Sequence, residues 1–81
     1  MHMKSGVSAL IAAEVRRVRH DQNLRQDELA LAAGVSVRSV HQIEAGKPTI
    51  RFDILERVLN ALGLTLEVIS RRGSSASPRR S

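Results

Sequence analysis

At 81 residues the chain has room for one small domain and its ends, because a second core would not find enough apolar side chains to bury. The 42 % apolar fraction is almost all Ala, Val, Leu and Ile, with Phe52 the one aromatic, which suits short helices packed closely. Thirteen Lys and Arg against eight Asp and Glu give a formal charge of +5, favouring an anionic partner, while the absence of cysteine excludes disulfides and thiolate metal sites.

Residues 1–7 carry no pattern and read as a flexible end. From about Ser8 to Gln22, Ile11, Val15 and Val18 recur at i, i+4 and i+7 among charged residues, the period of an amphipathic helix. A second helix is predicted over Gln26 to Ala33, with Leu29, Ala30 and Ala33 on one side and Asp27 and Glu28 in its first turn, where acidic groups suit the helix dipole. Gly34 ends it, and Ser36 caps a third helix whose inward face is Val40 and Ile43 and which stops before Gly46. Lys47-Pro48-Thr49 interrupts the chain. A fourth helix follows from about Phe52 to Leu62, with a buried stripe of Phe52, Leu55, Val58, Leu59 and Leu62, and Gly63 closes it.

Leu64 to Ile69 then alternates with a period of two and is rich in branched residues, which reads as a short β-strand; the other readings are an extension of the fourth helix or a docked loop. A lone strand cannot satisfy its own backbone, so the strand reading demands a second copy of the segment. Under a twofold axis the pair would be antiparallel, with Leu64, Leu66 and Val68 toward the helices and Thr65, Glu67 and Ile69 outward. These six residues form the expected homodimer interface. The folded unit therefore spans 8–69, and the basic, serine-rich tail 70–81 is expected to be disordered.

Two short helices joined by a glycine-containing turn make a helix-turn-helix, whose second helix enters the major groove of DNA. Spacing at 100° per residue sets Arg38, His41 and Gln42 opposite Val40 and Ile43. Arginine can bond guanine O6 and N7 together, glutamine can do the same with adenine N6 and N7, and Val37 can touch a thymine methyl. By composition alone the preferred reading is that Arg38 and Gln42 are ordinary solvated residues on a small helix.

The run Q-D-E-L-A-L-A-A-G-V-S-V-R-S-V-H-Q-I-E-A-G-K, Gln26 to Lys47, resembles the signature of the Xre/Cro family of lambda-repressor-like DNA-binding domains. The resemblance implies an all-α domain of the five-helix type, to which this chain adds its C-terminal strand. It also implies double-stranded DNA as the partner, base-reading roles for Val37, Arg38 and Gln42, and phosphate contacts from Gln26, Ser39 and Lys47. Arg25, Arg51 and His41 are further phosphate candidates. Glu44 is implied to pair with Arg19 as a structural salt bridge. Arg25 departs from the Ser, Thr or Asn usual at that helix start, and Val37 from the usual polar residue.

Gly46-Lys47-Pro48-Thr49 followed by Asp53-x-Leu-x-x-Val-Leu-x-Ala-Leu-Gly-Leu-x-Leu-x-Val is similar to a narrower group, the HipB-type antitoxins. That similarity implies a homodimer on a palindromic operator, autorepression, and binding of a HipA-type serine/threonine kinase toxin in a bacterial, nucleoid-associated setting. An orphan regulator without a toxin, or a protein-interaction module using the same scaffold, remain the alternatives. His2, His20 and His41 lack metal-ligand spacing, so no metal or other cofactor is expected. The sequence offers no nucleophile and base, paired carboxylates or phosphate loop on which catalysis could rest. The apolar runs are too short for a membrane span or secretion signal, so a cytoplasmic location is expected.

Overall fold

A computed structural model describes residues 6–70, and within them the chain forms α1 (Gly6–Asp21), α2 (Gln26–Ala33), α3 (Val37–Glu44) and α4 (Phe52–Ala61). α2 has the predicted bounds. α1 begins inside the segment expected to be a flexible end; its first turn leaves no trace in the apolar spacing because Val7 is exposed and Gly6 has open space around it.

All four helices end by the same reversal. Asn23, Gly34, Gly46 and Gly63 adopt left-handed φ values of 58°, 72°, 75° and 77°. The next residue's N–H then reaches back into the last turn: Leu24 to the Arg19 carbonyl at 3.1 Å, Val35 to Ala30 at 3.0 Å, Lys47 to Gln42 at 3.1 Å and Leu64 to Leu59 at 2.8 Å. The requirement is sharpest at Gly46, which is buried under α1. A Cβ there would lie 3.8 Å from the Ser8 carbonyl oxygen, an ordinary contact, so the backbone angle rather than space demands glycine.

Val15, Leu29, Val40 and Val58 are fully buried at the centre, one from each helix, and Ala30, Ile43, Leu55, Leu59 and Leu62 complete the core. Each fully buried aliphatic contributes roughly 1.5–3 kcal/mol relative to exposure. α3 packs against both α1 and α2, and α4 closes the other side of α2. α3 is thus held from two directions.

Three expectations change. Phe52 is 59 % exposed rather than part of the buried stripe: as the first residue of α4 it lies beyond the edge of the core and instead lines a surface crevice with Leu59, Leu64 and Leu66. There are four helices among the described residues, not five: the chain leaves helical geometry at Gly63 and forms no further helix through Ser70. Among the described residues Leu64–Ile69 carries no strand ladder, only one bridging position at Ile69. Of its expected inward set, Leu64 is half-buried and packs on the core, while Leu66 and Val68 are 42 % and 79 % exposed. The expected tail lies, apart from Ser70, outside the described residues.

Candidate nucleic-acid interface

The turn between α2 and α3 is Gly34-Val35-Ser36. Ser36 starts α3 by accepting the Ser39 N–H on its Oγ at 3.1 Å, and the two serine hydroxyls sit 3.0 Å apart. With Val40 and Ile43 buried, the helix can present its other side only outward: Val37, Arg38 and His41 are exposed and Gln42 is half-buried. Among the described residues, the side chains of Arg38, His41 and Gln42 engage no hydrogen-bond or ion-pair partner. Lys47, just past the α3 reversal, is exposed and equally unpaired. A guanidinium, an amide and an ammonium with all donors free are what a base edge and a phosphate can use.

The other two arginine candidates are occupied. Arg25 is the first flanking residue of α2, and a guanidinium has no acceptor with which to cap a helix. Its backbone N–H donates instead to Glu28 Oε1 at 2.8 Å, while its side chain meets Asp27 at 3.1 Å and Glu28 at 3.7 Å. The hydrogen bond from Arg25 holds the Asp27 carboxyl below its ordinary range. Arg51 flanks α4 in the same way and donates to both Asp53 oxygens, at 3.1 and 2.9 Å. Exposed pairs of this kind are worth about 0–1 kcal/mol, so a phosphate could replace either carboxylate at little cost.

Beneath this surface lies a polar cluster centred on Glu44. Arg19 Nε donates to Glu44 Oε2 at 2.6 Å and Arg19 Nη2 to Oε1 at 3.0 Å, and the two residues are 8 % and 6 % exposed. The remaining Arg19 terminus donates to the Leu24 carbonyl at 2.8 Å. Arg16 Nη1 donates to the backbone carbonyl of Glu44, closing the end of α3 from α1. Gln26 Nε2 donates to Glu44 Oε1 at 2.9 Å, so one of the phosphate candidates is also bonded to the bridge. Burial works against the charge of Glu44. The hydrogen bonds from Arg19 and Gln26, with the positive charges of Arg19 and Arg16, outweigh it and hold the carboxyl below its ordinary value.

Sequence reasoning missed the roles of Arg16 and of Gln26 toward Glu44. The signal for Arg16 was its position three residues before Arg19, on the same side of α1. Gln26 carried none, since its partner is eighteen residues away on another helix.

Residues 15–69, from the middle of α1 through Ile69, match the sequence model of a helix-turn-helix family. The chain belongs to this family. Its α2, turn and α3 are the helix-turn-helix, and α3 is the recognition helix. A similar protein from Sinorhizobium fredii (strain NBRC 101917 / NGR234), named an uncharacterized HTH-type transcriptional regulator y4mF, shares 48 % identity over 60 residues, covering 74 % of this chain and 79 % of its own. Among the described residues of this helix-turn-helix protein no cluster of three or more His, Cys, Asp or Glu could hold a metal ion, and no helix is long and apolar enough to cross a membrane.

Proposed function

We propose that this helix-turn-helix protein is a sequence-specific DNA-binding repressor that acts as a homodimer on a palindromic operator, as the antitoxin and autorepressor of a HipA/HipB-type operon. Family membership and the name of the S. fredii relative support the broader statement, a DNA-binding transcriptional regulator. The observation that carries the reading is the outer side of α3: Val37, Arg38 and Gln42 lie on a helix whose opposite side is buried, and none of their side-chain polar atoms is committed to the fold. Arg38 suits a guanine, Gln42 an adenine and Val37 a thymine methyl. Lys47, Ser39, Gln26, His41 and, after exchange of partners, Arg25 and Arg51 supply the phosphate contacts that fix orientation.

The homodimer is supported by Leu66, Val68 and Ile69, apolar and exposed on a segment with no ladder among the described residues, where Leu66 lines surface crevices with Leu10 and with Phe52. A second copy pairing through residues 64–69 would cover them, with Thr65 and Glu67 at its rim. Two half-sites roughly 34 Å apart, or a multiple of that, then follow from the twofold axis. The partnership with a HipA-type kinase rests on the similarity of residues 46–68 to HipB-type antitoxins.

Mobility shifts on the promoter of the protein's own operon test the reading. Retardation at moderate salt is expected. Arg38→Ala should weaken the cognate site by about 1–3 kcal/mol and relax one base pair, whereas Lys47→Ala should weaken all sequences alike and lower the salt slope by about one. Failure to retard its own promoter would refute repression, and a neighbouring gene that does not encode a kinase would remove the antitoxin role.

A further inference from the structure

Gln26 is the first residue of α2, where the first N–H groups of a helix have no partner within the helix, and its half-buried side chain reaches Glu44 of α3. A primary amide there has two possible orientations, and only one presents N–H rather than a carbonyl oxygen to an incoming phosphate. The cluster beneath it discriminates between them. Glu44 is an ionised carboxylate and accepts only, so the Gln26 Nε2 end must face it, at 2.9 Å. Glu44 itself cannot turn away, because two donors of Arg19 hold both its oxygens at 2.6 and 3.0 Å and Arg19 is in turn tied to the Leu24 carbonyl.

We infer that Glu44, held by Arg19, is a positioning residue for DNA binding: it fixes the Gln26 amide so that its second N–H is free and set toward the phosphate backbone. The inference rests on the phosphate role proposed for Gln26. Without Glu44 nothing draws the amide nitrogen to this position, and the freed donors of Arg19 favour the amide oxygen there instead. The buried pair therefore links the two halves of the interface. Glu44 closes the recognition helix through its own carbonyl, bonded by Arg16, and sets the neighbouring helix's phosphate contact through its carboxylate.

A double-mutant cycle on the intact protein tests this, with operator affinity and thermal unfolding both measured for wild type, Gln26→Ala, Glu44→Gln and the double variant. Gln26→Ala is expected to weaken operator binding about tenfold when Glu44 is present, the size of one hydrogen bond to a charged group. In the Glu44→Gln background the same substitution should cost less than about twofold. Any change in overall charge cancels across the cycle, and thermal unfolding verifies that all four proteins are folded at the temperature of the binding measurement. An equal loss in both backgrounds would mean that Glu44 is structural only and would overturn the inference. No loss from Gln26→Ala in either background would overturn it through its premise, the phosphate role of Gln26. If Glu44→Gln does not fold, Arg19→Lys replaces it: that variant frees Glu44 from its fork and should also shrink the Gln26→Ala effect, and an undiminished tenfold loss would refute the inference.

Discussion

The cluster around Glu44 and the surface that follows Gly63 are finished to different degrees. At Glu44, Oε1 accepts from Arg19 and Gln26, Oε2 accepts from Arg19, and the backbone carbonyl accepts from Arg16. A single chain satisfies that site completely. After Gly63 the situation is reversed: Leu66, Val68 and Ile69 stand exposed, Leu66 beside Leu10 and Phe52, and residues 65–68 form no ladder among the described residues. What holds the recognition helix in place is thus internal to one chain. What would set the distance between two recognition helices is not.

The comparison is broken most directly by Glu44→Ala. Removing one partner of a buried ion pair leaves Arg19 charged and uncompensated, so a loss of about 3–5 kcal/mol is expected in denaturant unfolding. A change below about 1 kcal/mol would show that water or another group replaces the carboxylate. Next is Val68→Asp, which should leave the unfolding of the single domain nearly unchanged while weakening self-association. A symmetric pair counts each side chain twice, so about 3 kcal/mol, or roughly a hundredfold in the dimer constant, is expected in sedimentation equilibrium. Unaltered dimers would locate the interface elsewhere.

Acid titration sharpens the same contrast more gently. The Glu44 carboxyl is lowered from its ordinary 4.5, so its stabilisation is fully present above that value and is lost as pH falls through the lower folded value. Wild type should therefore lose stability below about pH 4.5 more steeply than Glu44→Gln. Glu14 and Asp27, also lowered, contribute equally to both proteins and cancel. Parallel acid limbs would contradict the assignment. The smallest effect belongs to Arg25→Ser, where a gained helix cap of about 1 kcal/mol competes with the loss of exposed ion pairs worth about as much. Thermal unfolding should shift by only a few degrees, upward if the cap dominates.

Much of this division was legible in the sequence. Gly34 and Gly46 marked two helix ends directly, because a left-handed backbone leaves few other choices, and the spacing of Val40 and Ile43 decided which side of α3 is free. The pairing of Arg19 with Glu44 came from the resemblance of the Gln26–Lys47 run to a known family. Periodicity could not have supplied it, since the partners are twenty-five residues apart. Phe52 was misread for an instructive reason. Apolar spacing identifies a stripe along a helix, but says nothing of how far along its length the chain's own neighbours extend to cover it. The same blindness hid the exposure of Val68: alternation marks a segment that two surfaces will contact, whether or not both belong to one molecule.

The side chains of Arg38 and Gln42 contribute no hydrogen bond to the fold, and Val37 lies outside the hydrophobic core, at the start of a helix held by its buried side and its serine cap. Exchanging any of the three for another helix-compatible residue would cost a few tenths of a kcal/mol in stability. Under the base-reading role proposed for these three residues, new operators are within reach of one or two substitutions made without repair elsewhere. A gene duplicate of this chain could acquire a separate set of target promoters while its scaffold stayed unchanged.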